Sequence, residues 1–174
     1  NFFLPGSEIE YHLDWRNSER VELALYAVEL TQDVSFDGSR ESSGSWLEQI
    51  NLAGRRPTQT WEHATGDAGD HRPASRTLQL DDKLPVGAYV LRAAVKGAEA
   101  RELVLVTDAS IVLRTSGRQA LVYVCDVLDG SPLAGASIRV WQRIYDGGKW
   151  TWRSRAGGAD DEGLAVFDLD YPGG

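Results

Sequence analysis

Alternating hydrophobic and polar positions dominate this sequence. In SEIEYHLDW, the side chains of Ile9, Tyr11, Leu13 and Trp15 fall on one face of an extended segment, and polar side chains fall on the other. This period of two predicts a β-strand with one buried face. The stretch ERVELALYAVEL fits both a strand and a helix. We interpret it as a strand, because valine and tyrosine suit a pleated surface and its neighbours are strands.

Turn residues separate these strands at short intervals. In DGSPLAGASIRVWQ, Asp129-Gly130 ends one strand, Pro132 blocks further sheet pairing, and Gly135 precedes a new alternation. Glycine tolerates the positive φ of such turns, and proline lacks the N–H that a sheet needs. Many short strands with turns between them indicate an all-β fold of immunoglobulin-like antiparallel sandwiches.

Two consecutive sandwich domains are predicted, with a boundary after ARELVLVTD. The first covers residues 1–107 and carries a long irregular insertion at about 31–76, with a short helix near Ser45–Leu52. The second covers residues 108–174, which is shorter than the roughly 100 residues of a complete sandwich. We therefore expect the second domain to be incomplete and the chain to be a fragment of a larger protein.

One hairpin concentrates aromatic side chains on a single face. With Gly147-Gly148 as a two-residue turn, Tyr145 faces Trp150, and Arg143 faces Trp152, where a cation–π contact is expected. The predicted face consists of Trp141, Arg143, Tyr145, Trp150 and Trp152. Three interpretations stay open: the aromatic pairs stiffen the hairpin, the face packs on a neighbouring domain, or the rings form a platform for stacking on sugars.

Composition narrows the function classes. The formal net charge of −8 argues against nucleic-acid binding, which needs a basic surface. No apolar run approaches the ~20 residues of a membrane-spanning helix. The single cysteine, Cys125, cannot form an internal disulfide, and its apolar neighbours favour a buried, unreactive side chain.

No arrangement of residues predicts catalysis or a cofactor. His63, Asp67, Asp70 and His71 are metal-ligand types, but their spacing matches no known ligand pattern. The carboxylates of ADDEG are consecutive, whereas a calcium loop alternates its ligands, so a turn is the better interpretation. We expect no enzyme activity, no cofactor and no metal.

Three stretches resemble the macroglobulin-like domains of bacterial α2-macroglobulins. They are Val106-Thr107-Asp108, the V-x-D-x-x-x-G-x-P-L-x-G-A step from Val124 to Ile138, and the D-x-x-G-L-A step from Asp160 to Ala165. LPGSEIEYHLDWRN and LPVGAYVL are similar to a first and a late strand of the preceding domain. Many members of that family carry a Cys-x-Glu-Gln thioester, but Cys125 is followed by Asp126 and does not match it.

The resemblance implies a non-catalytic scaffold within a broad-spectrum protease inhibitor that traps proteases in a cage. The implied partners are the other domains of the parent protein and, through it, target proteases. The family suggests a periplasmic, cell-surface or secreted location. The alternative is an extracellular carbohydrate-binding or adhesin-type sandwich that uses the aromatic hairpin face.

Overall fold

The structure of the protein is a computed structural model that describes residues 1–34, 36 and 45–170. The chain divides into two compact units. The first consists of Asn1–Val34 and Trp46–Thr107, and the second groups the described residues of Ser35–Ser45 with those of Asp108–Gly174. The fold is all-β, as the alternating pattern predicts, because most elements in the described residues are strands.

Nine elements precede Thr107. They are β1 (Phe2–Phe3), β2 (Glu10–Trp15), β3 (Arg20–Val28), α1 (Leu30–Asp33), α2 (Ser45–Gln49), β4 (Gln59–Ala64), β5 (Ala74–Gln79), β6 (Gly87–Val95) and β7 (Ala98–Val106). Five strands form one sheet in the order β1-β7-β6-β3-β4, and β2 and β5 form a second sheet. All of these pairs are antiparallel except β1–β7, which is parallel.

The core of the first unit lies between these two sheets. The alternation in SEIEYHLDW places Ile9, Tyr11 and Leu13 in it, with at most 7% of each residue exposed. The larger sheet contributes Val21, Leu23 and Leu25 from β3, which confirms the strand interpretation of that segment. A second apolar cluster covers the opposite face of β3 and β6, where Ile50 and Leu52 pack with Val28 and Val90.

The prediction of one long irregular insertion at residues 31–76 needs a correction, because the segment contains the strand β4 and the beginning of the strand β5. β4 pairs with β3 along Arg20–Leu25, and β5 pairs with β2 over its whole length. The sequence signal of both strands is weak because few of their side chains are apolar, and their partners are distant in sequence. The expected short helix is present as α2, whereas residues 35 and 37–44 of the segment lie outside the described residues.

The second unit contains five strands in its described part. They are β8 (Ala109–Ser116), β9 (Gln119–Asp126), β10 (Ser137–Asp146), β11 (Lys149–Gly158) and β12 (Leu164–Asp168). One sheet has the order β12-β9-β8, and β10 and β11 form the other. The core consists of Ala120, Val122, Val124, Ile138, Ala159, Ala165 and Phe167.

The edge strand β8 stays exposed on both faces. Ile111 pairs with Val124 and Leu113 pairs with Val122, so both side chains lie on the core side of the sheet. They are nevertheless 65% and 54% exposed. The core of this unit, as far as the described residues show it, therefore covers β9 and β12 and leaves β8 open.

Cys125 is buried, with 8% of its surface exposed, as its apolar neighbours predict. Neither helix in the described part of the chain is long and apolar enough to cross a lipid bilayer.

Candidate functional site

The aromatic hairpin of the second unit is the candidate site that the sequence singles out. β10 and β11 pair in the predicted register, with Trp141 opposite Ser154, Arg143 opposite Trp152, and Tyr145 opposite Trp150. Residues directly opposite each other in an antiparallel pair share a face. This pairing places Trp141, Arg143, Tyr145, Trp150 and Trp152 on one face of the hairpin.

The opposite face of the hairpin points inwards. Ile138 belongs to the core, and Ile144 is only 6% exposed. Alternation along β10 thus separates an apolar inner face from an aromatic and cationic outer face.

The cation–π contact forms with a different ring from the one predicted. The guanidinium of Arg143 lies 4.6 Å from the ring centre of Trp150, not over Trp152. Trp150 also meets Tyr145 edge to face, with ring centres 5.3 Å apart and planes at 61°. The long arginine side chain therefore reaches diagonally across the strands and leaves its directly opposite neighbour.

Phe36 occupies the place beside Trp152. The two rings stack with centres 4.5 Å apart and planes at 24°. Phe36 also meets the ring of Trp141 edge to face at 5.7 Å. Sequence reasoning missed this residue, because it lies about a hundred positions upstream in a segment without periodicity.

The open part of the aromatic face is small and uneven. Tyr145 and Trp150 are 50% and 43% exposed, whereas Trp141 and Trp152 are half-buried. A flat sugar-stacking platform needs rings that lie in one plane, and these two exposed rings stand at 61° to each other. The geometry favours edge-to-face packing within the hairpin over a sugar platform.

A polar network fastens the chain after β12 to the inner side of the hairpin. The Gln142 side chain donates to the Asp170 carbonyl oxygen at 2.5 Å and accepts from the Asp170 N–H at 2.8 Å. Arg155 donates to the Asp170 carboxylate at 2.8 Å, and Arg153 lies 3.3 Å from its second oxygen. These bonds hold the last described residues in place.

The first unit contains a cleft of about 570 Å³ beside β2 and β7. Its floor is apolar, with Leu13, Leu23, Leu91 and Val95 among the lining residues. Glu99 lies on its rim, and hydrogen bonds from Arg92 and then Arg101 hold the pKa of this carboxyl below its usual range. Because both arginines neutralise Glu99, its lowered pKa reflects an ion-pair network and not a catalytic acid.

The histidines and aspartates of WEHATGDAGDH go to separate partners. The His63 ring packs edge to face on Trp15 at 5.6 Å, and His71 bonds to Asn17. Asp67 accepts from the Gly69 and Ser18 N–H groups, and these bonds, the first of them above all, lower its pKa. Within residues 1–34, 36 and 45–170, no group of three His, Cys, Asp or Glu side chains is placed to hold a metal ion.

Comparison with known proteins gives a result at the level of structure. No family model matches the sequence, and no curated protein matches it. The fold resembles a crystal structure of native alpha-2-macroglobulin from Escherichia coli spanning domains MG0-NIE-MG1, with a TM-score of 0.61. The fold is macroglobulin-like. That likeness covers 95% of this chain and 54% of the other, at 13% sequence identity.

A second structure of the E. coli protein, spanning domains NIE-MG1, gives the same result. Its TM-score is 0.55 at 13% identity, and the match covers 91% of this chain and 78% of that chain. At this identity the likeness concerns the macroglobulin-like fold alone. The present chain spans about half the length of the longer fragment.

Proposed function

We propose that this chain forms non-catalytic scaffold domains of a bacterial α2-macroglobulin-like protease inhibitor. In this proposal the two sandwich units are part of the wall of a cage that encloses a protease. The observation that carries it is the structural likeness to the MG0-NIE-MG1 fragment, which extends over 95% of this chain and hence over both units.

The sequence motifs support the same proposal independently of the overall fold. The stretch from Val124 to Ile138 leaves β9, turns at Gly130 and Gly135, and enters β10. The second motif, Asp160 to Ala165, leads through the turn at Gly163 into β12. These two of the motifs that carry the family resemblance thus form strand transitions within the second unit, as expected for a structural domain.

The aromatic hairpin face is proposed to contact another domain of the parent protein. Tyr145 and Trp150 present exposed aromatic surface, and Arg143 adds a cation beside them. Aromatic residues and arginine are the types enriched at protein interfaces. The parent's other domains are the immediate partners in this proposal, target proteases are reached through the cage, and the location is periplasmic, cell-surface or secreted.

The experiment uses the natural full-length protein that contains this chain. The protein is incubated with a broad-specificity protease, and residual activity is measured on a small peptide and on a large protein substrate. Selective loss of activity on the large substrate is expected, because a caged protease still admits small molecules. Equal activity on both substrates, relative to protease alone, would overturn the inhibitor proposal.

A pair of variants in the same protein tests the hairpin face. Trp150→Ala should weaken the proposed domain contact and restore cleavage of the large substrate by the trapped protease. Val166→Ala is the control, because Val166 is also exposed, at 60%, but lies on β12 and away from the aromatic face. Equal caging by both variants would contradict the interface role of the hairpin.

A further inference from the structure

Asn17 and His71 share an uncommon backbone conformation and bond to each other. Their φ angles are +54° and +64°, and they are the non-glycine residues with positive φ among the described residues. A left-handed backbone is unfavourable for residues with a side chain, although asparagine tolerates it better than most. Two such residues in direct contact indicate that the contact maintains the conformation of both.

The hydrogen bonds between them fix the direction of each donor. The His71 backbone N–H donates to Oδ1 of Asn17 at 2.9 Å. A backbone N–H can only donate, so the Asn17 amide oxygen must face it. This fixes the position of the Asn17 amide nitrogen on the other branch of the side chain. That nitrogen lies 2.6 Å from Nδ1 of His71.

The imidazole must therefore accept a hydrogen bond at Nδ1. An amide nitrogen has hydrogens and no available lone pair, whereas the neutral imidazole offers one unprotonated nitrogen. A protonated imidazole carries hydrogens on both nitrogens. Its Nδ1–H would then face the N–H of the Asn17 amide, and neither group could accept a hydrogen bond. Turning the amide over would not help, because its nitrogen would then face the His71 N–H.

The same contact joins two connections of the first unit. Asn17 lies in the turn between β2 and β3, and His71 lies in the connection between β4 and β5. Further bonds link the same segments: Ser18 N–H donates to Asp67 at 3.4 Å, and the Thr65 hydroxyl donates to the Ser18 carbonyl oxygen. The bond at Nδ1 is the member of this set that depends on a neutral imidazole.

We propose that Asn17 and His71 form a pH-sensitive latch, which ties the β2–β3 turn to the β4–β5 connection and opens when the His71 imidazole takes up a proton. Histidine is the side chain whose charge ordinarily changes between pH 5 and 8. Opening removes the bond that maintains both left-handed residues, so the connection gains freedom while the two sheets stay folded.

Several charged groups lie around the contact between Asn17 and His71. Asp67 interacts electrostatically with His71, and this is the smallest of the contributions that lower the pKa of Asp67. Asp70 and Arg72 flank His71, and the Arg72 guanidinium lies 3.4 Å from the Asp70 carboxylate. The opposite turn carries Arg16 and Glu19. Asp67 stays ionised through this range, because its pKa is already lowered, so its own bonds to Ser18 and Gly69 outlast the latch.

The test follows the amides of the latch by NMR while the pH falls from 8 to 5. The Asn17 side-chain NH₂ and the His71 backbone N–H are expected to lose protection from exchange with the midpoint of the His71 ring titration. After correction for the intrinsic pH dependence of exchange, His71 N–H should exchange about fivefold faster in the open state, as expected for the loss of one hydrogen bond.

Two variants distinguish the latch from a general effect of acid. His71→Asn should abolish the transition, because asparagine tolerates the left-handed conformation and does not titrate. His12→Asn is the control, since His12 is exposed on β2 beside Thr77 and Asp14, and this variant should keep the transition. A transition that persists in His71→Asn would overturn the proposal. Amide protection at Asn17 and His71 that does not change with the titration of the His71 ring would also overturn it.

Discussion

At the scale of single residues, Gly163 shows how a turn can require the smallest side chain. Its φ is +74°, and a Cβ at this position would lie 2.5 Å from the Val124 carbonyl oxygen and 3.0 Å from Cβ of Pro132. That oxygen already accepts a hydrogen bond from the Leu133 N–H at 3.0 Å. A side chain here would displace backbone that holds two strand transitions together.

We predict that Gly163→Ala lowers the free energy of unfolding by about 3 kcal/mol or more, since it combines backbone strain with a clash. Gly135→Ala is the matched control: its φ is +70°, but no atom lies within 4 Å of the added Cβ. The control should lose only the roughly 1–2 kcal/mol of the left-handed backbone. Urea denaturation of both variants checks this, and equal losses would show that the clash is relieved without cost.

At the scale of elements, the short helix α2 depends on a residue of the sheet. Arg101 of β7 donates from Nη1 to the carbonyl oxygens of Glu48 and Ile50 at 3.1 and 2.7 Å. The last carbonyls of a helix lack intrahelical partners, and an isolated helix of this length is not stable in water. Arg101 supplies donors for these carbonyls from outside the helix.

Arg101→Ala should therefore reduce stability by about 2–3 kcal/mol, because it leaves carbonyls without their charged donor. Arg92→Ala provides the comparison, since Arg92 bonds to the same Glu99 at 2.7 Å and, within the described residues, does not donate to α2. This variant should lose no more than about 1 kcal/mol. Hydrogen exchange of the α2 amides, together with denaturation, measures both effects. The proposed role of Arg101 as donor to the α2 carbonyls fails if the α2 amides exchange as fast in Arg92→Ala as in Arg101→Ala.

The aromatic hairpin depends in the same way on a residue outside it. Phe36→Ala removes the ring that stacks on Trp152 and meets Trp141. We expect a red shift of the tryptophan emission and a loss of about 1 kcal/mol, the size of an aromatic pair. Phe2→Ala is the control, because Phe2 is 77% exposed, and it should leave the spectrum unchanged. An unchanged spectrum for Phe36→Ala would mean that the stack does not form in solution.

At the scale of the whole molecule, carboxyl groups with lowered pKa values make the free energy of unfolding decrease in acid. The pKa values of Asp33, Glu99, Asp67 and Asp129 are all lowered in the folded state, chiefly by hydrogen bonds from Arg55, from Arg92, and from the N–H groups of Gly69 and Ser131. A lowered folded pKa contributes stability above the unfolded pKa. That contribution is lost as the pH falls through the folded value.

We therefore expect the free energy of unfolding to fall below about pH 4, the ordinary carboxyl range. Denaturation at a series of pH values measures it. Glu99→Gln should reduce this acid dependence. Glu10→Gln, at an exposed position of β2, is the matched control. If the free energy of unfolding changes with pH equally in both variants, Glu99 does not contribute to the acid dependence.

Two buried tyrosines, Tyr11 and Tyr89, make the free energy of unfolding decrease at alkaline pH. Burial raises the pKa of Tyr11 and of Tyr89, so their contribution is complete below the unfolded value of about 10. It is lost as the pH rises through the folded values. Stability should accordingly decline above about pH 10, and the same denaturation series, extended to alkaline pH, shows whether it does.

Local patterns predict the strands of this protein wherever one face is apolar and the turn is short. The alternation of Ile9, Tyr11 and Leu13 follows from the period of two, and Gly147-Gly148 sets the register of β10 and β11. In both places the information lies within a few residues. The sequence by itself therefore determined the all-β class, the hairpin face and the buried position of Cys125.

Only the tertiary structure decided which distant residues meet. β4 and β5 gain their pairing from β3 and β2, and their own residues have too few apolar side chains to predict it. Phe36 reaches the hairpin, Arg101 reaches α2, and Asn17 reaches His71, each across more than fifty positions of the sequence. These contacts depend on how the sheets bring separate segments together, and no local period encodes that.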